Sequence, residues 1–381
     1  MKPMVASLVF PRDRFEKKIL FPWAVLVVLF FQGPAPAAEY FSLDGYVDAH
    51  PKQKQITQAF SNRVRAKGIP LEKGAQKRPV AISFIYPGEQ VSDYWRRSIL
   101  SFKRRMDEIQ IKYMIKECFT KPVVDYRIQE KQIRQALSDD PDYLVFTLDI
   151  NKHRRIIERI ITKQRPKLIL QNITTPLKTW EGKQPFLYVG FDHERGARMI
   201  AEHFMEKTGG QGRYALLYFS QGHVSRMRGD TFIDFLKAHS RLELVSSYYT
   251  DGNRARSRQA ATEILNEFPG IRFIYACSTD VALGAMDALT ANNKSGDILL
   301  NGWGGGSSEL EAIEAKRMDA TVMRMNDDNG VAMAEAVRLD IEGKKKEVPT
   351  VFSGSFVLIQ KGIPKNELDR HKKWAFRYSG H

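Results

Sequence analysis

Short apolar runs rich in β-branched and aromatic residues alternate along this chain with longer stretches whose apolar positions recur at helical spacing. The runs Val80–Tyr86, Tyr113–Cys118, Tyr143–Leu148, Leu168–Gln171, Phe186–Gly190, Tyr214–Phe219, Leu244–Tyr249, Phe273–Ala276, Ile298–Asn301, Thr321–Arg324 and Val351–Phe356 read as strands. Trp95–Asp107, Glu194–Lys207, Gly229–Ala238 and Ala255–Phe268 read as amphipathic helices between them. Strand–helix alternation makes βαβ units and a parallel sheet. The pattern occurs twice, over 80–191 and 214–302, and predicts an α/β protein of two doubly wound lobes.

After Trp303 the chain carries one more strand, a helix over Gly330–Ile341 and a last strand, too little for a third domain. That tail suits a chain that returns to the first lobe and crosses again, giving three connections and a hinge. The expected division is 79–191 plus 304–343 for the first lobe and 192–303 plus 347–381 for the second. Residues 39–78 are polar and helix-prone, with Tyr46, Val47, Ile56, Phe60 and Val64 as apolar anchors, and read as an N-terminal helical extension along the outside of the main fold.

Residues 1–38 read as a secretory signal. Arg12, Arg14, Lys17 and Lys18 make a basic start, Ile19 to Phe31 an apolar run, and Ala35-Pro36-Ala37 offers small residues to a peptidase. An uncleaved anchor is the alternative. Export admits disulfides, but Cys118 and Cys277 both sit at strand ends and are expected as two buried free thiols. The formal net charge is +15; the signal holds five basic and two acidic residues, so a net charge of +12 remains on the rest. No helix-turn-helix or RNP-like pattern accompanies that charge, so a solvated basic surface is expected rather than a nucleic-acid site.

The glycine stretch Asn301–Ser307 comes too late in the chain for a dinucleotide fingerprint, and Trp303 interrupts it. It reads as a ligand loop carrying Trp303, or as a plain turn. There is no phosphate loop, nucleophile elbow, zinc motif or paired cysteine motif, and the eight histidines are dispersed. Met325–Gly330 is a poor calcium loop; Asp327 or Asp328 there is more simply a helix cap. An enzyme is therefore disfavoured.

What recurs is a polar or aromatic residue just beyond a strand. Gln90, Ser92 and Trp95 follow the first strand, after the break at Pro87-Gly88; Asn172, Arg228, Thr279 with Asp280, Trp303 and Arg324 follow later ones. Each alone suits a turn, a cap or a surface charge. Ligands of open α/β sheets bind at the carboxyl ends of strands, so together they point to one cleft between the lobes. Two aromatic faces, two guanidinium groups, one carboxylate and several amides and hydroxyls suit a small, hydroxyl-rich ligand with negative charge.

The runs Tyr86–Trp95, Phe146–Asp149, Leu170–Pro176, Pro185–His193, Arg228–Ile233, Phe273–Ala285, Asn301–Ser307, Val322–Asp328 and Ala375–Ser379 make the chain, from about residue 80 onward, closely resemble the LuxP-type autoinducer-2-binding periplasmic proteins. These are a branch of the ribose-type periplasmic binding proteins. The resemblance implies the type I fold: two Rossmann-like lobes joined by a three-strand hinge. It implies a receptor in the periplasm for a furanosyl borate diester, whose boron arrives with the ligand, so that no cofactor is needed. The partner it implies is the periplasmic domain of an inner-membrane hybrid sensor kinase.

The binding positions it implies are Gln90, Ser92, Trp95, Asn172, Arg228, Thr279, Asp280, Trp303 and Arg324. In that reading Arg228 and Arg324 neutralise the borate, and Gln90, Ser92 and Asn172 bond ring hydroxyls and oxygens. Asp280 accepts from hydroxyls with Thr279 beside it, and the two indoles wall the ring and offer their N–H groups. Glu89 and a longer loop at Ala291–Gly296 depart from the resemblance outside these positions. The alternative is a ribose-type sugar-binding component of an ABC transporter.

Overall fold

A computed structural model describes residues 39–148 and 153–380. The expected secretory signal, 1–38, lies outside the described residues. The first sheet is wholly parallel, with β1 (Val80–Tyr86), β2 (Tyr113–Phe119), β3 (Tyr143–Phe146), β4 (Lys167–Gln171), β5 (Leu187–Phe191) and β11 (Val351–Gly354) in the order β11-β5-β4-β3-β1-β2. The second holds β6 (Gln211–Tyr218), β7 (Arg241–Tyr249), β8 (Ile271–Ala276), β9 (Leu299–Gly304), β10 (Ala320–Arg324) and β12 (Phe356–Gln360) in the order β12-β10-β9-β8-β6-β7, with only β12 antiparallel. Strands buried on both faces need continuous apolar runs, and β1, β4, β5 and β10 have them. Each sheet separates two apolar clusters, one under each helical layer.

In each sheet the first strand has its sequence neighbour on one side and the next strand on the other: β1 lies between β2 and β3, β6 between β7 and β8. The strand order reverses there, and the loops at the carboxyl ends part to leave a crevice. The chain passes between lobes three times, at Phe191–His193, at Arg324–Asp327 and at Gly354–Phe356. The last two crossings are joined, since Met325 N donates to Ser355 O at 3.0 Å.

The tail divides differently from the expectation. The sequence places 304–343 in the first lobe, whereas helix α10 (Ser307–Glu314) and β10 belong to the second; β10 pairs with β9 on one side and β12 on the other. Only α11 (Asp327–Ile341) returns, and it packs on α3 (Tyr94–Glu108) so closely that a methyl on Gly330 would sit 2.3 Å from the Ser98 carbonyl. The expected single strand Val351–Phe356 is two strands in two sheets, broken at Ser355. A strand's composition shows that it is buried, not which sheet buries it.

Both ends of the described chain tie down the first lobe. Helices α1 (Leu43–Ala49) and α2 (Pro51–Arg65) set Tyr46, Phe60 and Val64 into its cores. Helix α12 (Lys365–Ala375) packs Leu368 and Ala375 into the second lobe. The residues after it reach back to α11, where Tyr378 N and Ser379 N donate to Asp327 Oδ2 at 2.6 and 2.7 Å. Arg105 of α3 lies beneath this tail, bonded to Glu335 Oε1 at 2.8 Å and to the Tyr378 hydroxyl at 2.6 Å.

Cys118 lies partly buried on β2 and Cys277 fully buried after β8, in separate lobes and both as free thiols. Burial pushes both thiols up, Cys277 furthest. Thiolate is the reactive form. Titration with a chromogenic disulfide at pH 8 should find at most one reactive thiol in the native protein and both after denaturation; two fast thiols in native protein would contradict this packing.

Candidate functional site

Pro87 and Gly88 end β1, and the loop they begin carries Gln90 and Ser92 to the start of α3, where Tyr94 and Trp95 turn inward. Asn172 follows β4 with φ of 65°, the left-handed region that asparagine tolerates and most residues do not. From the second lobe, Arg228 comes off α7 (His223–His239), Ser278 and Thr279 off the β8–α9 turn, Trp303 off β9, and Arg324 off the end of β10. Gln90, Ser92, Trp95, Asn172, Arg228, Thr279, Trp303 and Arg324 line one cavity of about 50 Å³ between the lobes. Tyr94, Ser220, Ser225 and Ser278 line it too and were not singled out from sequence.

Trp303 is the hub. Its indole is 1 % exposed, and helix α6 (His193–Thr208) presses so near that a methyl on Gly196 would fall 2.9 Å from the ring. The Arg228 guanidinium lies over the ring at 3.8 Å and that of Arg324 at 5.4 Å; Arg324 also stacks on Tyr94 at 4.4 Å. Both arginines are buried, and among the described residues neither has an ion-pair partner. Burial, and then the neighbouring Arg324, push Arg228 down to about 9; burial lowers Arg324 as well. Desolvated cations without carboxylates are costly, and the aromatic faces offset only part of that cost.

His193, at the first crossing, joins both lobes to this pair. Its Nε2–H donates to the Asn172 carbonyl at 3.0 Å, which leaves Nδ1 to accept from Arg228 Nε at 3.3 Å. That pattern requires a neutral ring, and burial together with Arg228 holds His193 well below the usual histidine range. Arg228 Nη1 donates to the Cys277 carbonyl at 2.8 Å. Three of the lining residues each hold a buried polar atom with no hydrogen-bond partner among the described residues: Asn172 Oδ1, Ser278 Oγ and Arg324 Nε. Unpaired buried polar atoms are uncommon in folded proteins, and here they belong to residues that line a cavity.

Three expected roles change. Asp280 does not line the cavity; its carboxylate accepts from Val91 N at 3.0 Å and Ser92 N at 3.4 Å, tying α9 (Thr279–Ala291) to the first lobe, and burial raises its pKa. The Trp303 N–H is spent on the Tyr275 hydroxyl at 3.0 Å, so Trp303 offers the cavity only its ring. Gln90 turns its amide nitrogen back onto the Pro87 carbonyl. Asp93 makes a second tie between lobes, accepting from the Ser307 hydroxyl at 3.0 Å.

A sequence model of the periplasmic binding protein domain matches residues 82–345. The chain belongs to the periplasmic binding protein family. It is 28 % identical over 174 residues to the ribose import binding protein of Bacillus subtilis, covering 45 % of this chain and 55 % of that one. It is 29 % identical over 163 residues to the D-allose-binding periplasmic protein of Escherichia coli, covering 42 % of this chain and 51 % of that one. The chain thus spans about half the length of the curated relatives it matches.

Among solved structures, an ABC transporter solute binding protein from Agrobacterium vitis with bound D-fucose superposes with a TM-score of 0.68 at 18 % identity, over 76 % of this chain and 98 % of that one. GanP, a glucose-galactose binding protein from Geobacillus stearothermophilus, gives 0.67 at 17 %, over 76 % of this chain and all of that one. At these identities the likeness establishes the fold: the two-lobed α/β architecture of type I periplasmic binding proteins. The family consists of binding proteins rather than enzymes, and membership implies a place of work outside the cytoplasm. Among the described residues no helix is long and apolar enough to cross a membrane.

His153, His193, His203 and His223 are all held below the ordinary histidine value, chiefly by burial, while His50 beside Glu181 is raised. Unfolding releases the four to titrate near 6.5, so the unfolded chain binds more protons just below that pH and native stability falls as pH drops from about 6.5 to 5. Each such proton contributes at most about 1.4 kcal/mol per pH unit. Urea unfolding should show this slope, and His193→Gln should remove one proton's share of it. His193→Leu, which has neither donor nor acceptor, should cost about 1–3 kcal/mol at neutral pH by leaving Arg228 Nε without its acceptor.

Proposed function

We propose that this binding protein captures a small, hydroxyl-rich, sugar-like molecule in the cleft between its lobes. The observation that carries the reading is the cavity itself: indole and phenol side chains line it together with amide, hydroxyl and guanidinium side chains from both lobes, three of which hold a polar atom without a partner among the described residues. Sugars are bound in this way, ring faces against aromatics and each hydroxyl met by a polar group. The relatives named for ribose and D-allose support a sugar delivered to an import system, with a membrane permease as partner. Ligand bridging both lobes favours the closed form only by the difference in its affinity for closed and open states.

One observation favours a second reading. Arg228 and Arg324 stand together in the cavity wall, neither within ion-pair distance of a carboxylate among the described residues, and a neutral sugar brings no counter-charge. An anionic, cyclic, sugar-like ligand would, and the furanosyl borate diester autoinducer-2 is such a molecule. In that reading the protein is a periplasmic quorum-sensing receptor and its partner is the periplasmic domain of a sensor kinase. Asn172, Ser92 and Thr279 meet ring hydroxyls in either reading, and Trp95 and Trp303 wall the ring.

Boron analysis and mass spectrometry of the small molecule released from purified protein separate the two readings. A pentose or hexose without boron supports import, and a boron-containing furanose supports signalling. Calorimetry with D-ribose, D-allose and the borate diester then measures the preference. Arg324→Met should weaken an anionic ligand more than about tenfold, on the order of 1.4 kcal/mol, and a neutral sugar much less. Equal affinity of the variant and the parent for the diester would remove the charge argument.

A further inference from the structure

Residues Glu39–Phe41 lie outside both sheets and outside the cavity lining, yet they touch both lobes. On the first-lobe side they are fastened by backbone. Tyr40 forms an antiparallel bridge with Leu177, Phe41 N donates to Pro176 O at 2.9 Å, and Lys178 N donates to Glu39 O at 3.0 Å. The Glu39 carboxylate pairs with Arg154. On the second-lobe side the Tyr40 ring lies flat on the His223 imidazole, with centroids 3.5 Å apart and planes 11° from parallel.

His223 opens α7 and directly precedes Val224 and Ser225, both of which line the cavity. Its Nε2 sits 2.9 Å from the hydroxyl of Thr175, which follows closely on the cavity-lining Asn172. Burial and Arg226 hold this imidazole down to about 4, so it is uncharged where Tyr40 covers it. The helix gripped in this way also carries Arg228. Elsewhere the lobes are tied by Asp280 on Val91 and Ser92 and by Asp93 on Ser307, all on the β1–α3 side. Tyr40 and Thr175 tie the β4 side to α7, where those carboxylates do not reach.

We infer that Tyr40 is a clasp on the ligand cavity: the N-terminal segment, fixed on the first lobe, holds the start of α7 through this ring and so sets how readily the cavity opens and how fast it releases its occupant. The release rate rests on the ligand site proposed above; the opening does not.

Hydrogen exchange on the ligand-free full chain tests the opening. Tyr40→Ala should speed exchange in the α7 peptide 226–232 about tenfold, and Tyr40→Phe, which keeps the stacking ring, should match the parent. Exchange unchanged in Tyr40→Ala would overturn the clasp. So would acceleration spread through the whole second lobe with a lowered thermal midpoint, which reports lost stability rather than a lost local tie. Stopped-flow tryptophan fluorescence with D-ribose, D-allose or the furanosyl borate diester, whichever calorimetry shows to bind, should give release about tenfold faster from Tyr40→Ala. An unchanged release rate would also overturn the clasp. Failure of all three to bind the parent protein would count against the ligand proposal and leave the exchange result to decide the clasp.

Discussion

Two guanidinium groups crowd one tryptophan ring in a space that water scarcely enters. Burying even one cation without a partner costs several kcal/mol, and two neighbouring cations repel as well. The protein meets that cost in pieces: the Trp303 and Tyr94 rings under the charges, the Cys277 carbonyl on Arg228, and the lone pair of a neutral His193. None of these is a counter-ion. The arrangement persists because the surroundings are rigid, with β9 and β10 central in a six-stranded sheet and α6 closed against the indole. A binding site of this kind holds its donors apart from solvent and from one another's partners, so that a ligand need not displace an internal salt bridge to enter.

The same groups connect the ligand site to the hinge. His193 stands at the first crossing, bonded to Asn172 in one lobe and to Arg228 in the other; Arg324 ends the strand that enters the second crossing. Movement of one lobe against the other therefore changes the geometry of the cavity wall directly. The cross-lobe bonds of Asp280 and Asp93 involve backbone amides and a hydroxyl, each worth little alone. That suits a two-state device: ties strong enough to hold the closed form permanently would leave a ligand nothing to shift.

Much of the lobe architecture is legible in the chain because buried parallel strands must be continuously apolar, and few other structures produce that signature twice. The stretch from β1 to Trp95 and the polar residues at later strand ends point to one crevice by the same reasoning, and eight of the nine residues singled out do line it. Asp280 falls outside for a reason no local pattern carries: its acceptor capacity is taken by amides almost two hundred residues earlier. Likewise the Trp303 N–H faces Tyr275 across neighbouring strands, a matter of register. His193 looks like one dispersed histidine among eight, and only the crossing at Phe191–His193 gives it two lobes to join. The tail misled because a strand's sheet is chosen by its pairing partners, and β10 found β9 and β12.

Fold and ligand class separate here. The architecture is shared with solute binding proteins at under 20 % identity, and at that distance it shows the fold and not the ligand. What discriminates among candidates is the charge balance inside the closed cavity. A carboxylate paired with each arginine would make the pair neutral and suit an uncharged sugar. Asp280, the acidic residue expected there, is turned instead to Val91 and Ser92, and burial favours its protonated form. Charge inside the cleft is therefore the property on which a neutral sugar and an anionic ring would differ, and the two proposed readings part there.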